Sequence, residues 1–153
     1  MKVYLDNCSY NRPFDDQSQM RIYLETQAKL HIQKLIHNGS LLLALSYVSR
    51  YENWNSPYSS NKTTIDKFFE NATTYIDIDK ADIIECKANE IMKFGVESKD
   101  ALHISCAIEA VCDYFITTDD RILKKYIAGE IKVCSPVEFI NIWEDFLCTP
   151  QQP

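Results

Sequence analysis

A chain of 153 residues, 46% apolar and 25% charged, has the length and composition for one globular domain with its own core. A formal net charge of −6 argues against an open basic surface that grips nucleic acid through counterion release, while leaving room for a local basic groove or for a metal that offsets the acids. No apolar run approaches the roughly 18 residues of a membrane span, and the six cysteines contain no CxxC pair of the kind that outlines a zinc site.

Lys2-Val3-Tyr4-Leu5 reads as a short buried strand that stops abruptly at Asp6-Asn7. Residues 11–16 form a turn. A helix is expected over 18–37, with Met20, Leu24, Ala28, Ile32 and Leu35 on one face and Asn38-Gly39 as its stop signal. The apolar run 40–45 suits a strand covered on both faces. Ser46 is a cap for a short helix to Trp54, with Val48 and Tyr51 expected to face inward and Glu52 beside them; Asn55-Ser56-Pro57 breaks it. A helix over 61–71 carries Ile65, Phe68 and Phe69, and 74–78 alternates weakly, as an edge strand would.

In the second half, Asp79 is expected to cap a helix over 80–94, which ends at Gly95, and Ser98 to cap another over 99–112 with Ala101, Ile104, Ile108 and Val111 as its stripe. Residues 114–117 form a short strand that runs into Asp119-Asp120; a short helix follows to about Tyr126, and residues 131–134 are the last strand. Ser135-Pro136-Val137-Glu138 combines a capping box with proline at the first helical position, opening a helix to about Leu147 whose Ile140, Trp143 and Leu147 cover the sheet. Residues 1–148 are expected to form a single domain and 149–153 a disordered tail. Alternating strands and helices imply right-handed crossovers, a mainly parallel sheet and a three-layer α/β/α sandwich. No signal peptide is evident, which gives the expectation of free thiols in a reduced, cytoplasmic setting.

Sites in such sheets form outside the carboxyl ends of the strands. Asp6 leaves the first strand, Glu52 lies soon after the second and Asp119 follows the fourth, while Asp100 opens the helix that leads into that fourth strand. The topology therefore allows four carboxylates to meet. Four anions in one pocket repel one another and raise their own pKa values, and a hard divalent cation such as Mg²⁺ or Mn²⁺ relieves this. Such a cation supports hydrolysis of a phosphodiester. Against this stand the abundance of acids, 22 of 153 residues, and the ordinary use of Asp in caps and turns, which alone accounts for Asp100 and Asp119.

The blocks Met1-Lys-Val-Tyr-Leu-Asp6-Asn7, Tyr51-Glu52-Asn53, Lys99-Asp100-Ala-Leu-His103-Ile and Phe115-Ile-Thr-Thr-Asp119-Asp120, in that order, resemble a PIN domain over nearly the whole chain. The resemblance implies a metal-dependent ribonuclease of the kind used as the toxin in VapC-type toxin–antitoxin pairs, and with it an RNA substrate, an antitoxin protein as partner and a homodimer. Carried over residue by residue, it makes Asp6, Glu52, Asp100 and Asp119 the acids of the site. Asp6, Asp100 and Asp119 would hold one or two Mg²⁺ or Mn²⁺ ions, and Glu52 would complete the shell or orient the attacking water. The T-x-D pattern favours Asp119 over Asp120 as the ligand. The sequence departs from the family at Cys8, where Ser or Thr is common; Asn7 offers an amide oxygen in its place.

Several other residues stay open at this point. His103, three positions from Asp100, either touches the site or is structural. Arg12 suits a phosphate or a turn. Arg12, Arg50, Lys99 and Arg121 are the cations nearest the expected rim, and Tyr47, Tyr51, Trp54 and Tyr58 cluster around Glu52, suited to stacking on bases, to an interface or to the core. The alternative to a nuclease is a catalytically weak PIN-like domain that binds RNA or a protein partner. A phosphoacceptor signalling domain fits less well, because the last strand ends in Ser135-Pro136 with Lys132 inside it.

Overall fold

The computed structural model describes residues 1–127 and 129–149. Five short strands, β1 (Lys2–Leu5), β2 (Leu42–Ser46), β3 (Thr74–Ile76), β4 (Tyr114–Ile116) and β5 (Lys132–Cys134), form one parallel sheet in the order β3-β2-β1-β4-β5. The helices between them are α1 (Asn7–Asn11), α2 (Met20–His37), α3 (Tyr47–Trp54), α4 (Ser59–Phe69), α5 (Ala81–Met92), α6 (Ser98–Glu109), α7 (Asp120–Lys125) and α8 (Pro136–Cys148). The expected three-layer α/β/α sandwich is what forms.

The two faces of the sheet alternate residue by residue, as the pleat requires. Val3, Leu5, Leu43, Leu45 and Ile116 pack with Ile32 and Ile36 of α2, Ile65 and Phe69 of α4, and Phe139 and Trp143 of α8. Tyr4, Ala44 and Phe115 face the other way, onto Ile84, Ala88 and Ile91 of α5 and Ala101, Ile104 and Ala107 of α6. Tyr4 and Phe115 stack at 5.6 Å between ring centroids. The chain moves outward from β1 to β3, crosses back to β4 and continues to β5. The direction therefore reverses between β1 and β4, and a crevice opens beyond their carboxyl ends.

Several local expectations need correction. On α2 the buried residues are Glu25, Thr26, Lys29, Ile32, Leu35 and Ile36, while Met20 is 71% exposed and Leu24 about half exposed. Ile32 and Leu35 are inward as expected, but the N-terminal half of the inward face includes charged residues because Glu25 is held by Arg12 and Arg21, each at 2.9 Å, so apolar periodicity misplaces Met20 and Leu24. Tyr51 faces solvent. Asp77, not Asp79, caps the turn before α5 through its bond from the Ile78 amide. Ser98 is the first residue of α6, whose N-cap is Glu97. That helix ends at Glu109 in a Schellman motif, with the Cys112 amide on Ala107 O and the Val111 amide on Ile108 O. Val111 takes the left-handed position, φ 53°, that glycine usually fills, and is 78% exposed. The caps Ser46 on α3 and Ser135 on α8 are as read. Of the tail expected to be disordered, residues 150–153 lie outside the described residues.

Candidate active site

Parallel register sets the centre of the site. Leu5 pairs with Ile116, and the ladder continues as the Asp6 amide donates to Ile116 O at 2.9 Å, which brings Asp6 beside Thr117. Asp6 is almost fully buried. Its Oδ1 accepts from the Asn7 amide at 2.7 Å, at the start of α1, and its Oδ2 accepts from Thr117 Oγ1 at 2.8 Å and from Cys8 Sγ at 3.0 Å. Thr117 Oγ1 in turn accepts from the Asp119 amide at 3.0 Å. The hydroxyl of the threonine in the T-x-D pattern thus joins two of the acids, donating to the Asp6 carboxylate and accepting from the Asp119 backbone amide.

Cys8 stands where a hydroxyl was expected, and it acts as a donor to Asp6 while accepting from the Thr118 amide at 3.4 Å. Burial, with the neighbouring Asp6 carboxylate, pushes its thiol up to about 12, so it stays protonated and keeps that donor role.

Asp100 lies in the first turn of α6, half-buried, and among the described residues no hydrogen bond or ion pair reaches its carboxylate. Burial, then the charges of Asp6, Asp119 and Glu97, raise it from 3.8 to about 6, with Arg121 pulling the other way. These carboxylates therefore share one field at the switch point. Asp119 caps α7 by accepting from the Arg121 amide at 2.8 Å. The Arg121 guanidinium, 2.8 Å from Asp119 Oδ2 and 2.7 Å from Glu97 Oε1, holds Asp119 below the usual carboxylate range. Asp120 points elsewhere, into a two-pronged pair with Arg21 of α2 at 2.7 and 2.6 Å, and is not part of this group.

Glu52 reaches the rim from α3 with a nearly buried side chain. Its Oε1 contacts Lys99 Nζ, and its Oε2 lies 2.6 Å from His103 Nε2. His103 is 1% exposed, and burial lowers its pKa, which favours the neutral ring with Nε2–H donating to Glu52. Its Nδ1 then accepts from Tyr4 OH at 2.8 Å, and the Tyr4 hydroxyl is also bonded, at 2.7 Å each, to Ser46 Oγ and Ser49 Oγ. Of the two sequence-level readings of His103, the site reading and the structural one merge: it is a core residue that fixes Glu52. Arg12 serves the fold, bonding Thr118 O, Asp15 and Glu25, and Arg50 lies over the Tyr75 ring, so Lys99 and Arg121 are the cations at the acids.

The donor set is all oxygen, as a hard cation requires. Among the described residues no three His, Cys, Asp or Glu side chains converge, as placed, into a closed metal cage. Mg²⁺, which keeps several waters and commonly uses only one or two carboxylates, needs no such cage. Among the described residues Asp6 and Asp100 are the pair without an ion-pair partner, and the repulsion from neighbouring acids that adds to burial in raising Asp100 is of the kind a cation removes.

Thr117, Tyr4, Ser46, Ser49 and Glu97 are parts of the site that the sequence reading does not single out. Thr117 belongs to the T-x-D pattern, and Tyr4 lies two residues before Asp6, on the same side of β1; the serines and Glu97 carry no signal that separates them from ordinary caps and surface charge.

No family model matches the chain, and no curated protein matches it. Among solved structures, it is similar to a chain of VapBC2 from Rickettsia felis, crystallised bound to a DNA fragment from their promoter. The likeness has a TM-score of 0.54 at 16% identity and covers 88% of this chain and 98% of that one. The chain accordingly has a PIN-like, VapC-like fold. No helix among the described residues is long and apolar enough to cross a membrane.

Proposed function

We propose that the protein is a metal-dependent endoribonuclease that hydrolyses RNA phosphodiester bonds at the β1/β4 crevice, acting in the cytoplasm as the nuclease of a toxin–antitoxin pair and partnered by an antitoxin protein and a second copy of itself. The reading rests above all on Asp100, a half-buried carboxylate without a hydrogen-bond or ion-pair partner among the described residues, raised to about 6 by burial first and then by the charges of Asp6, Asp119 and Glu97. The likeness to a chain of the Rickettsia felis VapBC2 complex supports the same reading.

In this account Asp6 and Asp100, with Asp119, would hold Mg²⁺ or Mn²⁺, and Arg121, now paired with Asp119, would be available to substrate phosphate. Bound there, the cation would lower the pKa of an attacking water and offset charge on the phosphodiester. Thr117 and Cys8 keep Asp6 Oδ2 oriented, while among the described residues Asp6 Oδ1 is engaged only by the Asn7 amide. Glu52, fixed by His103, accepts a hydrogen bond from the water and sets its line of attack. Lys99 and Arg121 supply the positive potential at the scissile phosphate that the chain as a whole lacks.

A second reading, a PIN-like domain that binds RNA or protein without cutting, is favoured by the ion pairs that already neutralise Glu52 and Asp119. An RNA cleavage assay with purified protein in Mg²⁺, in Mn²⁺ and in EDTA, beside Asp6→Asn and Asp100→Asn, separates the two. Cleavage that requires metal and is lost in both variants supports the nuclease. Intact RNA under every metal, or variants that cut as well as the parent, supports the binding domain.

A further inference from the structure

Beside the acids, a cleft of about 870 Å³ runs between α1, α3 and the start of α4, a volume in the range of small-ligand sites. Glu52 forms part of its wall, and so do Tyr51 and Tyr58, which are 69% and 65% exposed. Amide side chains stand between them. Asn55 gives its Nδ2 to Tyr51 O at 2.9 Å and Asn61 takes a bond from Ser60 Oγ at 3.3 Å, which leaves the Asn55 oxygen and the Asn61 amino group without a partner among the described residues. Among the described residues the one cation in this wall is Lys99, already on Glu52.

Tyr51 also borders a second hollow on the far side of α3, where Trp54 is 70% exposed. There Arg50 and Lys67 line the wall together with the acids Asp66 and Glu70, and Lys62 Nζ sits 4.0 Å from the Trp54 ring centroid and bonds Trp54 O, which pins the indole in place. Aromatic faces and amides therefore lie next to the acids, and beyond Tyr51 lie Arg50 of α3 and Lys62 and Lys67 of α4, interleaved with Asp66 and Glu70.

A wall with a single, engaged cation cannot hold a duplex by its phosphates. Rings and amides instead suit bases whose faces and edges are free, because every base has a face that stacks on an aromatic side chain. Asn is suited to pairing with a base edge. We infer that the α3–α4 cleft is a base-reading subsite for unpaired nucleotides next to the scissile phosphate, with one base stacked on Tyr51 or Tyr58 and its edge read by Asn55 and Asn61, and the strand leaving over Trp54 toward Arg50 and Lys67. This rests on the nuclease reading and adds to it that the cut site is chosen by base identity.

The test is fluorescence anisotropy in EDTA with a labelled single-stranded oligoribonucleotide, its duplex, and the same strand with one abasic position. Of Tyr51→Ala and Tyr58→Ala, the one that removes the stacking ring should weaken single-strand binding about tenfold, Tyr51→Phe should bind as the parent does, and the abasic strand should erase that loss. Both side chains are mostly exposed, so the variants fold. Alanine variants that bind the single strand as tightly as the parent, or a parent that prefers the duplex, overturn the subsite. So does unchanged RNA binding together with a shift of the variants to a smaller species in gel filtration, which makes the patch an interface between copies. A parent that cuts no RNA in any metal instead refutes the nuclease reading on which the subsite rests.

Discussion

Replacing Asp100 with Asn removes a charge from a site that resists it while preserving shape. At pH 7.5 the parent carries an ionised Asp100 in both the folded and unfolded chain, and the folded state disfavours it. At about 1.4 kcal/mol per pH unit, the rise from 3.8 to about 6 corresponds to at most about 3 kcal/mol, and solvent screening at a half-buried group brings this to about 1–2 kcal/mol. Asp100→Asn should therefore be more stable than the parent by about 1–2 kcal/mol in EDTA at pH 7.5. The sign follows from proton binding: between about pH 4 and 6 the folded protein holds the Asp100 proton more tightly than the unfolded chain, so this group's contribution to stability falls as pH rises through that window. The advantage of the variant should shrink as pH is lowered toward 4.5. Urea unfolding at both pH values measures it. Addition of Mg²⁺ or Mn²⁺ should stabilise the parent and leave the variant nearly unchanged, because only a folded site with both carboxylates binds the ion. A variant that is less stable than the parent in EDTA, or whose advantage does not depend on pH, would refute the picture of carboxylates crowded around Asp100.

Three further outcomes follow from other parts of the molecule. Val111→Gly should raise stability by about 1 kcal/mol in urea unfolding, since it relieves a left-handed residue in the α6 Schellman turn and removes no buried contact. Iodoacetamide at pH 8 should modify the exposed Cys86 and Cys148 well before Cys8, whose thiol is pushed up to about 12; peptide mass spectrometry reads the order. Lys29, buried on α2 without a hydrogen-bond or ion-pair partner among the described residues, is lowered by burial to about 7, so stability should rise with pH above 7 as the unfolded chain keeps a proton that the folded one has lost. Lys29→Met should be more stable by about 2–4 kcal/mol at pH 6.

The fold was legible because its signals were local. Short apolar strands, the Asn38-Gly39 stop and the Ser135-Pro136 start each depend on a few adjacent residues, and alternation of strand and helix then leads to a parallel sheet. The α2 face was misread because burial there is decided by a tertiary contact: Glu25 is inside only because Arg12 and Arg21 come to it. Tyr51 was misplaced for the converse reason, an aromatic ring left in solvent where helical periodicity suggests a core contact. At the site, strand exits located Asp6 and Asp119, and the structure brings the charges of both to bear on Asp100. The sequence did not reveal that Asp119 is clasped by Arg121, that Asp120 turns to Arg21, or that Glu52 is anchored through His103 and Tyr4 to two serines. Those are pairings between residues far apart in the chain, and spacing carries no record of them.

The central claim is that Asp6 and Asp100 together hold a divalent cation. Titration with Mn²⁺ followed by electron paramagnetic resonance, which reports the free ion, tests it without requiring the RNA target. The account predicts saturable binding to the parent at neutral pH that weakens as Asp100 takes up its proton near pH 6, and loss of that binding in both Asp6→Asn and Asp100→Asn. Free Mn²⁺ that tracks total Mn²⁺ in the parent, or binding that survives both substitutions, would contradict it.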